Sequence, residues 1–171
     1  MRLAAPTMVR LGPWAAGARG LAAIIPLVAA GCGDAPDDGR HRFPGERIAL
    51  EIKGRKLTVE VASDDASRKA GLMHRERLPE DAGMLFIYPA HLEMSFWMKN
   101  TSIPLSIAFI DDRGAILQIE DMRPYDESST RSAARVRYAL EVNRGWFERN
   151  GIKVGDAFAD LEERTRGFRV R

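Results

Sequence analysis

Beyond residue 46 the chain alternates apolar with polar side chains, and a period of two predicts strands. Ile48, Leu50 and Ile52 alternate with Ala49, Glu51 and Lys53. After Gly54-Arg55, Leu57, Val59 and Val61 alternate with Thr58 and Glu60, so the two runs form a hairpin with one buried face. Ser63 is placed to cap a short helix with Asp64 and Asp65 in its first turn, Arg68 and Lys69 in its last, and Gly71 just beyond. Residues 72–83 read as a loop and Met84 to Tyr88 as a strand that Pro89 stops. A strand-like run then extends from Phe96-Trp97-Met98-Lys99-Asn100-Thr101 through Ile103-Pro104-Leu105 to Asp111. Its alternation sets Met94, Phe96, Met98 and Asn100 on a core face and Glu93, Ser95, Trp97 and Lys99 on an outward one.

Leu105, Ile107 and Phe109 continue the alternation, and Asp111-Asp112-Arg113-Gly114 turns the chain into a strand from Ala115 to Glu120. Residues 123–135 are polar and read as a long loop. Val136, Tyr138, Leu140 and Val142 give the cleanest alternation of all. Asn143 is placed to cap a short helix from Arg144 to Asn150, Ala157-Phe158 begins a last strand, and the charged tail from Glu162 is expected to fray. Many short strands, two brief helices and no alternating βα rhythm predict a mainly β chain with one antiparallel sandwich or barrel.

The residues ahead of this pattern bear on where the protein works. Arg2, Arg10 and Arg19 precede an apolar run from Leu21 to Ala30, too short for a bilayer and of the kind found in signal peptides. The run ends in small residues at Cys32, which is the single cysteine of the 171-residue chain. Ala29-Ala30-Gly31-Cys32 resembles the lipobox of bacterial lipoproteins, with Ala29 where leucine is usual. The alternative is an ordinary secretory signal that leaves Cys32 as a spare thiol. The expected organisation is a signal peptide over 1–31, a flexible tether over 32–45, a β domain over 46–161 and a charged tail over 162–171. Gly33 rather than an acid after the cysteine favours the outer membrane, facing the periplasm, if the cell is Gram-negative. The anchored membrane is then one partner of the protein. Removing the three leader arginines leaves 23 basic against 24 acidic residues, which argues against a nucleic-acid partner.

Three separated motifs are shared with a known family. Gly71-Leu72-Met73-His74-Arg75-Glu76-Arg77-Leu78-Pro79, Gly83-Met84-Leu85-Phe86, and the segment from Phe96 to Leu105 resemble, in order and spacing, the DUF192 family of uncharacterised bacterial and archaeal proteins. The resemblance covers roughly residues 57–158. It implies a jelly-roll-like β-sandwich and, for many members, export; it implies no reaction. Members often carry an acid after Ile-Pro-Leu, where this chain has Ser106.

No nucleophile motif is present, so a serine or cysteine hydrolase is disfavoured, and no cofactor signature is read. Glu93, Asp111, Glu120 and Glu141 are the carboxylates that a glycosidase-like enzyme would have to bring together. His74, His91, Met94 and Met98 form a thioether and imidazole set suited to soft copper, weighed against methionines that simply fill core space. The preferred site is the outward face: Trp97 and Lys99, joined by Arg75 or Arg77 from the preceding loop and flanked by Glu93, as a shallow surface for a sugar, an anionic group or an envelope protein. Phe96, Met98, Asn100 and Pro104 are assigned structural roles in the same motif.

Overall fold

The computed structural model describes residues 45–171, so the expected signal peptide, Cys32 and most of the tether lie outside the described residues. The described chain is mainly β, with a six-stranded sheet, a two-stranded sheet and three short helices. β1 (Arg47–Ile52) and β2 (Arg55–Ala62) form the expected hairpin. Lys53 and Gly54 at its turn both have positive φ, as a tight primed turn requires. The Lys53 ammonium is held there by the Gly151 carbonyl at 2.8 Å and Asp156 at 3.2 Å.

Helix α1 (Asp65–Ala70) starts one residue later than the sequence suggests. Asp64, not Ser63, is the cap: its Oδ1 accepts the N–H groups of Ala66 and Ser67, and Ser67 answers as the other half of a capping box. The Ser63 carbonyl instead accepts the N–H of Arg171. Residues 63–81 carry the chain over to β3 (Ala82–Leu92), which pairs with β2 in parallel. That one parallel pair makes the sheet mixed where an antiparallel one was expected. A crossover of this length permits it, whereas a tight turn would have enforced an antiparallel neighbour. β3 also runs past Pro89, because the register against its partner shifts between Ile87 and Leu92 and the bulge accommodates a residue with no N–H to give.

β4 (Ser95–Phe96) is only two residues long and pairs with β7 (Thr130–Arg131), a strand inside the expected long loop. The chain then turns, so the continuous run from Phe96 is broken until β5 (Leu105–Ile110). β6 (Ile116–Met122) pairs with β5, and β8 (Val136–Asn143) lies between β3 and β5, giving the order β1-β2-β3-β8-β5-β6. Asn143 is the last residue of β8 rather than a helix cap. Its amide donates to the carbonyls of Leu78 and Pro79 at 3.1 and 2.8 Å, while α2 (Trp146–Arg149) begins after Gly145. In place of a last strand, Ala157 makes a single bridge to Ala115, and α3 (Leu161–Thr165) follows. The tail does not fray at once: Leu161 and Thr165 are buried, and Phe168 and Val170 pack on the core.

The sheet buries both faces. On one, Leu57, Val59, Leu85, Ile87, Tyr138 and Leu140 pack against Trp146, Phe147, Phe158 and Leu161. On the other, Met84, Phe86, Leu105, Ile107 and Phe109 are covered by Leu72, Met94, Phe96, Met98 and Ile103 from the connecting segments.

Candidate functional site

The small β4–β7 sheet and the turns beside it position the outward residues. Burial alternates through the motif as expected, with Met94, Phe96 and Met98 buried and Glu93, Ser95, Trp97 and Lys99 exposed, until Asn100 breaks the pattern with φ 54° and an exposed side chain. Trp97 is 49% exposed and the Lys99 ammonium stands 5.2 Å from its ring centroid. A second aromatic, Tyr125, is 66% exposed on the neighbouring turn. The two turns are stitched by backbone: Met98 N–H donates to the Asp126 carbonyl at 2.8 Å, and Tyr125 N–H to that of Thr101 at 3.1 Å. A cleft of about 150 Å³ opens between them, with Met98, Arg123 and Asp126 among its walls.

The backbone here is held in unfavourable conformations. His74, Asn100 and Tyr125 all have positive φ, at 62°, 54° and 59°. They are linked, since His74 N–H donates to the Asn100 carbonyl at 2.8 Å and Tyr125 bonds the residue after Asn100. For side chains other than glycine this conformation costs about 1–2 kcal/mol each, and an aromatic gains no local hydrogen bond in return. Such strain persists only where the surrounding structure over-determines it, as the backbone bonds between these turns do.

Arg75 does not join this surface. Its guanidinium turns inward to Glu60, with Nη1 and Nη2 at 2.8 and 2.5 Å from the two carboxylate oxygens, and Arg47 adds a third contact at 3.3 Å. Its carbonyl is tied as well, accepting the Ser102 hydroxyl at 2.8 Å. The pull of a buried carboxylate on a forked cation outweighs any exposed alternative. Arg77 is exposed on the same loop, and Glu93 is exposed ahead of β4. Pro104 is exposed too, and its carbonyl accepts the Arg144 N–H at 3.0 Å, tying the end of the motif to the start of the turn before α2.

The soft-metal set is divided. His74 lies on the surface, and His91 lies there 3.7 Å from Asp112, while Met94 and Met98 are buried in the core. Among the described residues no three His, Cys, Asp or Glu side chains gather around a point that would hold a metal ion. The four carboxylates are dispersed as well: Glu93 and Glu120 are exposed, Asp111 accepts the N–H groups of Arg113 and Ala115, and Glu141 is buried.

Two acids inside the second face were missed by the period-two reading. Glu60 was expected on a solvent face and Glu141 on a strand surface, yet they are only 8% and 4% exposed. The signal was present nearby. All six residues of β5 are buried, as are the five from Gly83 to Ile87 of β3, and a strand apolar on both faces implies a sheet covered on both sides. Burial alone pushes the Glu141 carboxyl up to about 8.

Known structures share this architecture. A crystal structure from Sinorhizobium meliloti 1021, described as that of a candidate transcription regulator, is 38% identical with a TM-score of 0.61, covering 65% of this chain and 89% of that one. A protein of unknown function from Novosphingobium aromaticivorans DSM 12444 is 31% identical with a TM-score of 0.59, covering 65% and 81%. No curated protein matches. The segment in which the three shared motifs sit, residues 48–159, matches the family DUF192, described as an uncharacterized ACR, and the chain belongs to that family.

Proposed function

We propose that the protein is an exported binding module, lipid-anchored at Cys32 in the cell envelope, that takes a small ligand with a flat apolar face, such as a sugar ring, on Trp97, Lys99 and Tyr125. The observation that carries this reading is the pair of exposed aromatics on two stitched, strained turns, one of them with an ammonium over its ring. Aromatic faces stack on a sugar's C–H surface while the ammonium and neighbouring polar groups bond its hydroxyls. The tether lets such a face stand off the bilayer. The description of the Sinorhizobium protein would suggest DNA contact here, but near-neutral charge after removal of the leader favours the envelope.

Fluorescence tests the site directly, because Trp146 is buried and Trp97 is the exposed reporter. With Trp14→Phe in the full chain, chitin oligosaccharides and soluble muropeptides should quench or blue-shift the emission saturably. The proposal fails if neither does, or if Lys99→Ala and Tyr125→Ala leave the response unchanged. For the anchor, Cys32→Ser should move the protein out of the membrane fraction and abolish acyl labelling; an unchanged, labelled membrane fraction would refute it.

A further inference from the structure

One cross-strand row runs through all six strands of the sheet: Arg47, Glu60, Met84, Glu141, Ile107 and Glu120, each opposite the next. Residues opposite one another share a face, and this row lies on the face covered by the 71–80 and 93–104 segments. It holds two buried acids in unequal states. Glu60 is completed from within, by Arg75 in fork geometry and by Arg47. Glu141 makes no hydrogen bond or ion pair with any described residue, although the other buried polar side chains, Glu60, Thr101, Ser106, Ser132 and Thr165, all do. Among the described residues no fully occluded polar side-chain atom lacks a partner, so the Glu141 oxygens keep a thread of solvent contact.

We propose that Glu141 anchors a second binding site, for an organic cation: a primary ammonium or guanidinium group on a short apolar tail that enters beneath the covering segments and takes toward Glu141 the part that Arg75 takes toward Glu60. The side chains around Glu141 suit such a guest. Met84 flanks Glu141 directly, and Met94, Met98 and Met122 belong to the same cluster. Thioether side chains repack easily around an apolar stem. A buried acid lacking a partner is costly, and a cation removes that cost more fully than water can.

The charge balance is simple. Near neutral pH the Glu141 carboxyl holds its proton. When the cation enters, that O–H bond breaks, the proton leaves to solvent and the carboxylate pairs with the guest. The other charged or titratable groups on this face are already committed or remote: Arg75 and Arg47 pair with Glu60, Arg137 donates to the Tyr88 carbonyl at 3.2 Å, Glu120 is exposed beyond Ile107, and Tyr88 sits under the Arg68 guanidinium, 4.8 Å from its ring centroid. Binding should therefore release about one proton and tighten about tenfold per pH unit from 6 to 8, levelling above 8.

Calorimetry of the full chain with n-butylammonium, run in two buffers of different ionisation enthalpy, reads both quantities, with n-butanol as the neutral control. Saturable binding with proton release, weakened at least tenfold in Glu141→Gln and absent for butanol, is the expected result. No binding, binding without proton release, or equal binding by Glu141→Gln would overturn the proposal. If the variant does not fold, the carboxyl carbon resonance of Glu141 in the unmodified protein decides. It moves to the ionised position on saturation at pH 7 if the site is real, and stays in place if it is not.

Discussion

The two faces of the one sheet are built differently. The face under α2 and α3 is filled by Trp146, Phe147, Phe158, Leu161 and Tyr138 with branched aliphatics, contains no methionine among the described residues, and partners its buried polar groups: Trp146 Nε1 donates to Asp81 at 2.9 Å and the Tyr138 hydroxyl meets Thr165 at 3.1 Å. The other face holds Met84, Met94, Met98 and Met122, carries an acid with no partner among the described residues, and is roofed by turns and a two-residue strand pair. Side chains only one residue apart in β3, β5 and β8 thus serve different ends. Rigid, fully satisfied packing holds the fold, and the deformable face lies under the segment that bears Trp97.

The sharpest way to break this contrast is on the rigid side. Trp146→Ala removes the largest fully buried side chain and its hydrogen bond, and should cost about 3–5 kcal/mol of a stability of roughly 5–15, read as the midpoint of urea unfolding. Arg75→Ala comes next, at about 3 kcal/mol, because Glu60 is left buried with only Arg47. A loss under about 1 kcal/mol in that melt would mean that the pair does not hold the 71–80 segment down.

Glu141 should impose a pH dependence on stability. Its carboxyl titrates near 8 in the native state, against 4.5 ordinarily. Between those values the folded chain holds the extra proton, so the contribution is full below 4.5 and is lost as pH rises through about 8. Glu141→Gln should flatten the decline and, near pH 8.5, exceed the unmodified protein by a few kcal/mol. Urea midpoints at pH 5 and 8.5 check it, and parallel declines in the two proteins would refute it.

The smallest effects belong to the adaptable face and its surface. Met98→Leu conserves volume and should cost under 1.5 kcal/mol, whereas a comparable swap beside Trp146 finds less room to adjust. Trp97→Ala should lower stability by about 1 kcal/mol at most while abolishing the saccharide response. If it melts as low as Trp146→Ala, Trp97 is core and the surface assignment is wrong.

Much of this was legible in the sequence. The presence of the strands β1, β2, β5 and β8, and the inside-outside assignment from Glu93 to Lys99, are local properties that a period of two reports directly. The parallel pairing of β2 with β3, the β4–β7 pair and the docking of Phe168 depend on contacts between distant parts of the chain, for which no local pattern exists. Glu60 and Arg75 illustrate the limit. In its own segment Glu60 reads as a surface charge and Arg75 as a ligand contact, and only the crossover that lays the 71–80 loop over β2 makes them one buried pair.

The described residues begin and end beside β2, which has a consequence for topology. The Glu46 carbonyl accepts the Val61 N–H at 2.9 Å, and two residues further on the Ser63 carbonyl accepts that of Arg171 at 3.0 Å. Gly45 and Phe168 line the same cleft there. The described chain is therefore close to a ring. A short linker from Arg171 to Gly45 would leave every strand pairing in place, and new termini could be opened in the exposed turn around Glu127. In such a permuted protein both termini would lie beside the strained turn of Tyr125, next to the Trp97 surface.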